Sequence, residues 1–143
     1  MDTPRTDRVF TVLVGDDDGA IRECVVEVVS EWGFHVLTAS SGGDALSTLV
    51  REPVDFSILD VEMPVMTGIE VLQRYLAGPW IAGAMGPAAR PTGRRMPTIF
   101  MSGNPAREIR ETCEEIGTSF LDKPFQADDM RAAVNRVLTR YFS

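Results

Sequence analysis

The sequence predicts a doubly wound α/β fold built on one parallel sheet of five strands. Short apolar segments rich in β-branched residues alternate with longer segments whose apolar residues recur with the period of a helix. The first strand segment is apolar at nearly every position, as in strands that are buried on both faces of a parallel sheet. A length of 143 residues suits one domain with one core. We therefore expect helices to cover both faces of the sheet.

The first part of the chain contains three predicted strands and two predicted helices. The strands are Val9 to Val14, Phe34 to Thr38 and Val54 to Leu59. The first helix is predicted to begin at Asp18, which acts as its N-cap, and to end at Gly33. Between them, an apolar stripe runs from Ile21 to Trp32. The second helix is predicted over Asp44 to Arg51.

The rest of the chain continues the alternation. Thr67, with Glu70 three residues later, predicts a capping box at the start of the third helix. Asn104 is predicted to cap the fourth helix, with Pro105 at its first position and Gly117 at its end. The remaining elements are two strands, Thr98 to Met101 and Ser119 to Leu121, and a last helix with an apolar stripe from Met130 to Tyr141.

Composition and charge exclude several classes of protein. The net charge of −7 argues against a protein that coats nucleic acid or an anionic membrane. Cys24 and Cys113 lie in apolar helical patterns without the spacing of metal ligands, so we predict two reduced thiols in the core. The polar start of the chain is followed by an apolar stretch too short for a signal peptide or a spanning helix. A cytoplasmic location is expected.

Ligands of doubly wound sheets bind outside the carboxyl ends of the strands, and this sequence places chemically active side chains there. They are Asp16, Asp17 and Asp18 after the first strand, Asp60 after the third, Ser102 after the fourth, and Asp122 and Lys123 after the fifth. Converging carboxylates repel one another unless a cation lies between them, and Mg²⁺ prefers such oxygen ligands. Phosphoryl transfer to an aspartate requires a carboxylate nucleophile, a metal and hydrogen-bond donors for the phosphoryl oxygens. Lys123 and the hydroxyl of Ser102 would be the two donors here.

Four motifs, in order along the chain, resemble the receiver domain of two-component response regulators. They are VLVGDDDGAIRE, ILDVEMPVMTG, IFMSG and FLDKPF. The resemblance extends from Val9 to about Tyr141, apart from one inserted stretch. It implies a flavodoxin-like fold of five strand and helix pairs with the strand order 2-1-3-4-5, as in the stand-alone chemotaxis regulators of this family.

The resemblance also implies a role for each site residue. Asp60 would be the phosphoacceptor, and Asp17 a direct ligand of Mg²⁺ together with Asp60. Asp16 would hold the metal through a water molecule, and the backbone carbonyl of Glu62 would be the remaining protein ligand. Lys123 would pair with the phosphoryl oxygens. Such a domain catalyses only its own phosphorylation and dephosphorylation and is not an enzyme acting on other molecules.

A switch and a set of partners follow from the same resemblance. Ser102 would move toward the phosphoryl group, and Phe120 would be coupled to that movement. The bond from Lys123 to Pro124 would be cis. The phosphodonor would be a histidine kinase or a histidine phosphotransfer protein, and an unknown output protein would bind the face formed by the fourth helix, fifth strand and fifth helix. We expect residues 1–143 to be a single stand-alone receiver, with residues 1–8 as a tail.

Three other functions are alternatives to a phosphorylated stand-alone receiver. The domain could be a phosphorelay intermediate that passes its phosphoryl group to a histidine of another protein. It could be a pseudo-receiver, a binding module with a vestigial site, but the complete set of site residues argues against this. An aspartate-dependent phosphatase would have the pattern DxD, with an aspartate two residues after the nucleophile, whereas Asp60 is followed by Val61, Glu62 and Met63.

Two departures from the family pattern are evident. Gly15 replaces a bulky apolar residue, and we expect a looser end to the first strand. Ala77 to Arg95 is a link of 19 residues with four glycines, three prolines and three arginines, where about 2 to 6 residues are usual. Between Val71 and Arg107 the chain has five arginines and no acidic residue. This insertion is predicted either to contact a partner or to be a tolerated loop.

Overall fold

A computed structural model describes residues 9–78 and 95–142 of the chain, and these residues form the predicted alternation of strands and helices. The strands are β1 (Thr11–Gly15), β2 (His35–Ala39), β3 (Phe56–Asp60), β4 (Thr98–Ser102) and β5 (Ser119–Asp122). The helices are α1 (Gly19–Ser30), α2 (Gly42–Arg51), α3 (Gly68–Ala77), α4 (Arg107–Ile116) and α5 (Ala127–Phe142).

The strands form one parallel sheet with the order β2-β1-β3-β4-β5, which confirms the predicted topology. The order reverses between β1 and β3, and a crevice forms at such a point beyond the carboxyl ends of the strands. The register pairs Gly15 with Leu59, Asp60 with Met101, and Ser102 with Asp122. The ends of β1, β3, β4 and β5 therefore meet at one edge of the sheet.

Two apolar cores, one on each face of the sheet, hold this edge in place. Successive side chains of a strand point to opposite faces, so Val14 packs in the core with α1 and α5, whereas its neighbour Leu13 packs in the core with α2, α3 and α4. Ile58 and Leu59 of β3 divide in the same way. The central strands are buried on both faces, as their apolar sequences predict.

Each of the five strands extends one residue beyond its predicted end. The added residues are Gly15, Ala39, Asp60, Ser102 and Asp122, in the order β1 to β5. The expected loosening at Gly15 is wrong, because this glycine is buried and paired with Ala39 and Leu59. A Cβ atom at Gly15 would lie 3.0 Å from Cδ2 of Leu59, so glycine leaves room for that side chain.

The predicted starts of α1 and α3 are confirmed, whereas those of α2 and α4 are wrong. α2 begins at Gly42, two residues before the predicted Asp44, because Ser41 caps it by accepting a hydrogen bond from the Asp44 amide. Asp18 caps α1 by accepting hydrogen bonds from the amides of Ala20 and Ile21, and the Thr67 and Glu70 capping box of α3 is complete. Asn104 does not cap α4.

The N-cap of α4 is Ala106, which has no side chain able to cap the helix. The side-chain oxygen of Asn104 instead accepts a hydrogen bond from the Ala106 backbone amide at 2.9 Å. The backbone amide of Asn104 donates to Ser102 Oγ at 3.0 Å. These bonds keep Asn104 in the loop after β4, so Pro105 precedes the helix. Gly117 ends α4 as predicted.

Only one of the two cysteines fits the predicted core. Cys113 on α4 is buried, but Cys24 on α1 is exposed. The prediction for Cys24 is wrong because the buried residues of α1 are Val25 and Val29, and Cys24 lies one position away from that stripe.

Residues 79–94 lie outside the described residues, as does most of the predicted contact through Ala77 to Arg95. Ala77 ends α3, and Arg95 precedes β4 with its guanidinium carbon 4.8 Å from the ring centroid of Tyr141. The predicted tail, residues 1–8, is also outside. Within the described ranges, no helix combines the length and apolarity needed to cross a membrane.

Candidate functional site

The side chains at the carboxyl edge of the sheet form a compact ionic cluster. Asp16 directly follows β1, Asp60 ends β3, and both carboxylates are buried. Lys123, the residue after β5, places Nζ 2.9 Å from Asp16 Oδ2 and 3.0 Å from Asp60 Oδ1. One ammonium group therefore bridges the two buried acids.

A third acid adds to this cluster. Carboxylate oxygens of Asp16, Asp17 and Asp60 lie within 4.8 Å of one another, and Asp17 is exposed. Burial raises the pKa of Asp60 to about 6, with the charge of Asp16 adding to the increase and the ammonium of Lys123 opposing it. Three acids share one lysine, so the site favours an additional cation.

The acids are held by bonds to the backbone. Asp16 Oδ1 accepts from the Asp18 amide at 2.9 Å, and the Asp16 carbonyl accepts from Arg22 Nη1 at 2.7 Å. On the other side, a Cβ atom at Gly68 would lie 2.3 Å from the carbonyl oxygen of Asp60, so only glycine allows α3 to approach this closely. The bond between Lys123 and Pro124 is cis, as predicted.

Sequence reasoning missed Arg22 and Gly68 as supports of the site. Gly68 has a recognisable signal, because it lies at the first position of a helix directly after the capping Thr67. Arg22 has none, because an arginine in the first turns of an amphipathic helix is ordinarily a surface residue.

A second group of bonds surrounds the side chain of Glu62. Ser102 Oγ donates to Glu62 Oε2 at 2.7 Å, and the Gly103 amide donates to Glu62 Oε1 at 3.2 Å. The Glu62 amide is 3.4 Å from Asp60 Oδ1. The sequence did not predict these contacts of the Glu62 carboxylate.

The structure thus brings Asp16, Asp17, Asp60 and Lys123 together and joins Ser102 to them through Glu62. Phe120 lies on β5, half-buried, with the guanidinium carbon of Arg110 4.5 Å from its ring centroid. It pairs with Phe100 of β4 in the sheet register, two residues before Ser102. The predicted switch residues therefore occupy neighbouring strands at the same edge.

The acid cluster has the donor set that Mg²⁺ prefers. Its ligand atoms are carboxylate oxygens, without the sulfur or imidazole nitrogen that favours softer metals. Burial raises the pKa of Asp60, and the negative charge of Asp16 adds to the increase; a divalent cation would relieve this crowding of charge. The residues present therefore fit Mg²⁺.

Comparison with known proteins agrees with this geometry. The family model of the response regulator receiver domain matches residues 12–82, which include Asp16, Asp60 and Glu62. The chain belongs to the response regulator receiver domain family. Receiver domains work in phosphorylation-based two-component signalling, and they generally bind Mg²⁺ at an acidic pocket.

Three relatives show how this receiver domain compares with whole proteins. It is 28% identical to the response regulator MprA of Mycobacterium leprae, covering 90% of this chain and 51% of MprA. It is 29% identical to the sensor histidine kinase RcsC of Escherichia coli, covering 96% of this chain and 13% of RcsC. Sporulation initiation phosphotransferase F of Bacillus subtilis is 27% identical, with 89% of this chain and 92% of that protein covered.

Solved structures confirm the fold. The chemotaxis protein CheY4 of Vibrio cholerae is 26% identical and superposes with a TM-score of 0.70, covering 92% of this chain and 100% of that one. The receiver domain spans about half of MprA and a small part of RcsC, but nearly the whole of phosphotransferase F and CheY4.

Proposed function

We propose that this receiver domain accepts a phosphoryl group on Asp60 from a phosphohistidine of a histidine kinase or a histidine phosphotransfer protein. The supporting observation is the position of Asp60, a buried carboxylate at the reversal of strand order, paired with Lys123 and crowded by two further acids. The similarity to RcsC, a sensor histidine kinase, is consistent with a donor of this class.

In the proposed reaction, a carboxylate oxygen of Asp60 attacks the phosphorus of the phosphohistidine. The new O–P bond forms as the P–N bond breaks, and the imidazole nitrogen leaves with the electron pair of that bond. Lys123, now bonded to Asp60 Oδ1, pairs with the phosphoryl oxygens. Later attack of water on phosphorus returns the Asp60 carboxylate and releases inorganic phosphate, so the domain acts catalytically on itself alone.

Mg²⁺ would be held by Asp16, Asp17 and Asp60 together with the backbone carbonyl of Glu62. When bound, it supplies the positive charge that balances the phosphoryl oxygens against the acid cluster. The cluster in this chain has one ammonium group for three carboxylates, which supports this assignment.

The output of this domain is proposed to be a change in protein binding. Ser102 and Phe120 would respond to the phosphoryl group and alter the face formed by α4, β5 and α5. The inserted segment Ala77 to Arg95 is a further candidate for contact with a partner because of its arginines, Trp80 and Met85. A single stand-alone domain in the cytoplasm stays a prediction.

A second candidate function is that of a phosphorelay intermediate, in which Asp60 passes the phosphoryl group to a histidine of another protein. The similarity to sporulation initiation phosphotransferase F over nearly the full length of that protein favours this candidate. Incubation of the phosphorylated domain with histidine phosphotransfer proteins would reveal it by transfer of the label.

The central experiment is incubation with acetyl phosphate and Mg²⁺, followed by measurement of the intact mass. We expect one phosphoryl group per chain in the wild type and none in Asp60→Asn. Asp122→Asn is a matched control, since Asp122 also lies at a strand end but outside the acid cluster. Equal phosphorylation of the Asp60→Asn variant would exclude Asp60 as the acceptor.

A further inference from the structure

The carboxylate of Glu62 occupies two hydrogen-bond donors at the end of β4. One oxygen accepts from Ser102 Oγ at 2.7 Å, and the other accepts from the Gly103 amide at 3.2 Å. A hydroxyl and a backbone amide that converge on the two oxygens of one anion form an anion-binding pair. In this structure, the bound anion is a side chain of the domain itself.

These donors adjoin the proposed phosphoacceptor. Glu62 is two residues after Asp60, and its amide is 3.4 Å from Asp60 Oδ1. The charge of Glu62 contributes to the raised pKa of Asp60, which places the two carboxylates within electrostatic reach. Lys123 lies on the other side of the same Asp60 carboxylate. A phosphoryl group on Asp60 would therefore meet Lys123 and the pair formed by Ser102 and Gly103.

We infer that Glu62 is an internal competitor for the phosphoryl group: its carboxylate occupies Ser102 and Gly103 and must leave them before Asp60 is phosphorylated. This inference rests on the proposed function of Asp60. The residue Glu62 is exposed, so its side chain has solvent into which it can turn. The two charge-assisted bonds of Glu62 and its negative charge then oppose phosphorylation until the phosphoryl group replaces the Glu62 carboxylate on Ser102 and Gly103.

The exchange also releases Ser102. The Ser102 hydroxyl donates to Glu62 and accepts from the Asn104 amide at 3.0 Å, so Glu62 holds the loop that leads into α4. When the phosphoryl group replaces Glu62, Ser102 changes its acceptor. The resting position of this hydroxyl is therefore set by Glu62, a residue of the loop after β3.

The test is the initial rate of phosphorylation by phosphoramidate with saturating Mg²⁺, followed by intact mass. We compare the wild type with Glu62→Ala, Glu62→Asp and a matched control, Glu27→Gln, which removes an exposed acid on α1. Glu62→Ala removes both the anion and its charge. Glu62→Asp keeps the charge but is one methylene shorter, so we expect it not to reach both donors.

We expect both Glu62 variants to be phosphorylated about threefold to tenfold faster than the wild type, a range that corresponds to the net stabilisation by a typical intramolecular hydrogen bond. Glu27→Gln should match the wild type. A faster Glu62→Ala with an unchanged Glu62→Asp would show that charge alone matters and would overturn the competition. Equal rates in all four proteins would overturn it as well.

A second readout does not depend on phosphorylation. In the metal-free protein, loss of the carboxylate should move the Gly103 amide proton resonance upfield and speed its exchange with solvent, whereas Glu27→Gln should leave both unchanged. An unchanged Gly103 amide in Glu62→Ala would contradict the inference. Failure of every protein to gain a phosphoryl group would instead refute the proposed function, and the inference with it.

Discussion

At the scale of single residues, the same side-chain type behaves differently according to its surroundings. Cys24 and Cys113 both lie on helices, but only Cys113 is buried. Burial raises the pKa of the Cys113 thiol to about 12, with the negative charges of Glu62 and Glu114 adding to the increase. The thiolate is the reactive form, so the two cysteines should differ strongly in reactivity.

We predict that a thiol-specific reagent at pH 8 modifies Cys24 of the native protein rapidly and Cys113 only after unfolding. Cys24→Ser should abolish the rapid phase, and Cys113→Ser should leave it unchanged. The measurement is the time course of modification by intact mass, with a denatured sample as the reference for two reactive thiols. Two rapid phases in the native wild type would show that Cys113 is accessible.

The charged form of Asp60 destabilises the folded, metal-free protein, so the free energy of unfolding depends on pH. Its pKa in the folded, metal-free protein is raised to about 6, above the usual value, by burial and by Asp16. Between about pH 4 and 6, the folded state therefore binds more protons than the unfolded state. The contribution of Asp60 to the free energy of unfolding is thus fully present at low pH and is lost as the pH rises through about 6.

We predict that Asp60→Asn makes the metal-free protein more stable at pH 7 by about 1 to 3 kcal/mol, because the amide carries no charge to bury. The difference from the wild type should shrink as the pH approaches 4. Urea unfolding at several pH values measures it, with Asp122→Asn as the control for a strand-end acid outside the cluster. A stability difference independent of pH would contradict the raised pKa.

At the scale of the elements, α4 begins at Arg107, two residues after its predicted first position, Pro105. Its N-cap is Ala106, in extended backbone geometry with no capping side chain. α1 and α3 begin instead with Asp18 and Thr67, both of which accept hydrogen bonds from helix amides. The first turn of α4 therefore lacks a stabilising contact that those two helices have.

We predict that Ala106→Asp stabilises the protein by about 0.5 to 2 kcal/mol, the usual value of an N-cap. The backbone of Ala106 already has the extended conformation of an N-cap residue, so no rearrangement is needed. Asp18→Ala is the matched opposite change and should destabilise the protein by a similar amount. Unfolding by urea measures both, and a destabilised Ala106→Asp would show that the loop after β4 tolerates no new acid.

At the scale of the whole molecule, the acid cluster links metal binding to folding. Asp60 is far from Asp16 and Asp17 in sequence but close to them in the fold, so the site exists only in the folded state. Mg²⁺ that binds this site should stabilise the protein by RT ln(1 + [L]/Kd), about 2.7 kcal/mol at a hundred times Kd. The gain is lost if the chain cannot assemble the cluster.

We predict that millimolar Mg²⁺ raises the Tm of the wild type beyond the effect of matched ionic strength and that Asp17→Asn removes most of this increase. Asp17 is exposed, and its loss relieves repulsion, so the metal-free variant should be as stable as the wild type or more stable. Thermal unfolding with and without Mg²⁺ measures both effects. An equal shift in Asp17→Asn would assign Asp17 no part in metal binding.

Much of the fold and part of the site were predictable because their signals are local. The caps at Asp18 and Thr67 depend on residues within three positions, and the buried strands are visible as continuous apolar runs. Topology places the ends of parallel strands at one edge, so Asp60 and Lys123 could be brought together from the sequence. Their roles in phosphorylation and metal binding stay predictions, based on the resemblance to receivers and on the proposed function.

Local sequence patterns were enough to predict which segments become strands and helices and which polar residues stand at strand ends, because hydrophobic periodicity and helix capping act over a few residues. Tertiary structure decided the rest. Glu62 meets Ser102 across 40 residues of chain, and this contact depends on the pairing of β3 with β4. The same packing decided that Cys113, not Cys24, is buried, because burial and long-range hydrogen bonds depend on neighbours that only the folded chain supplies.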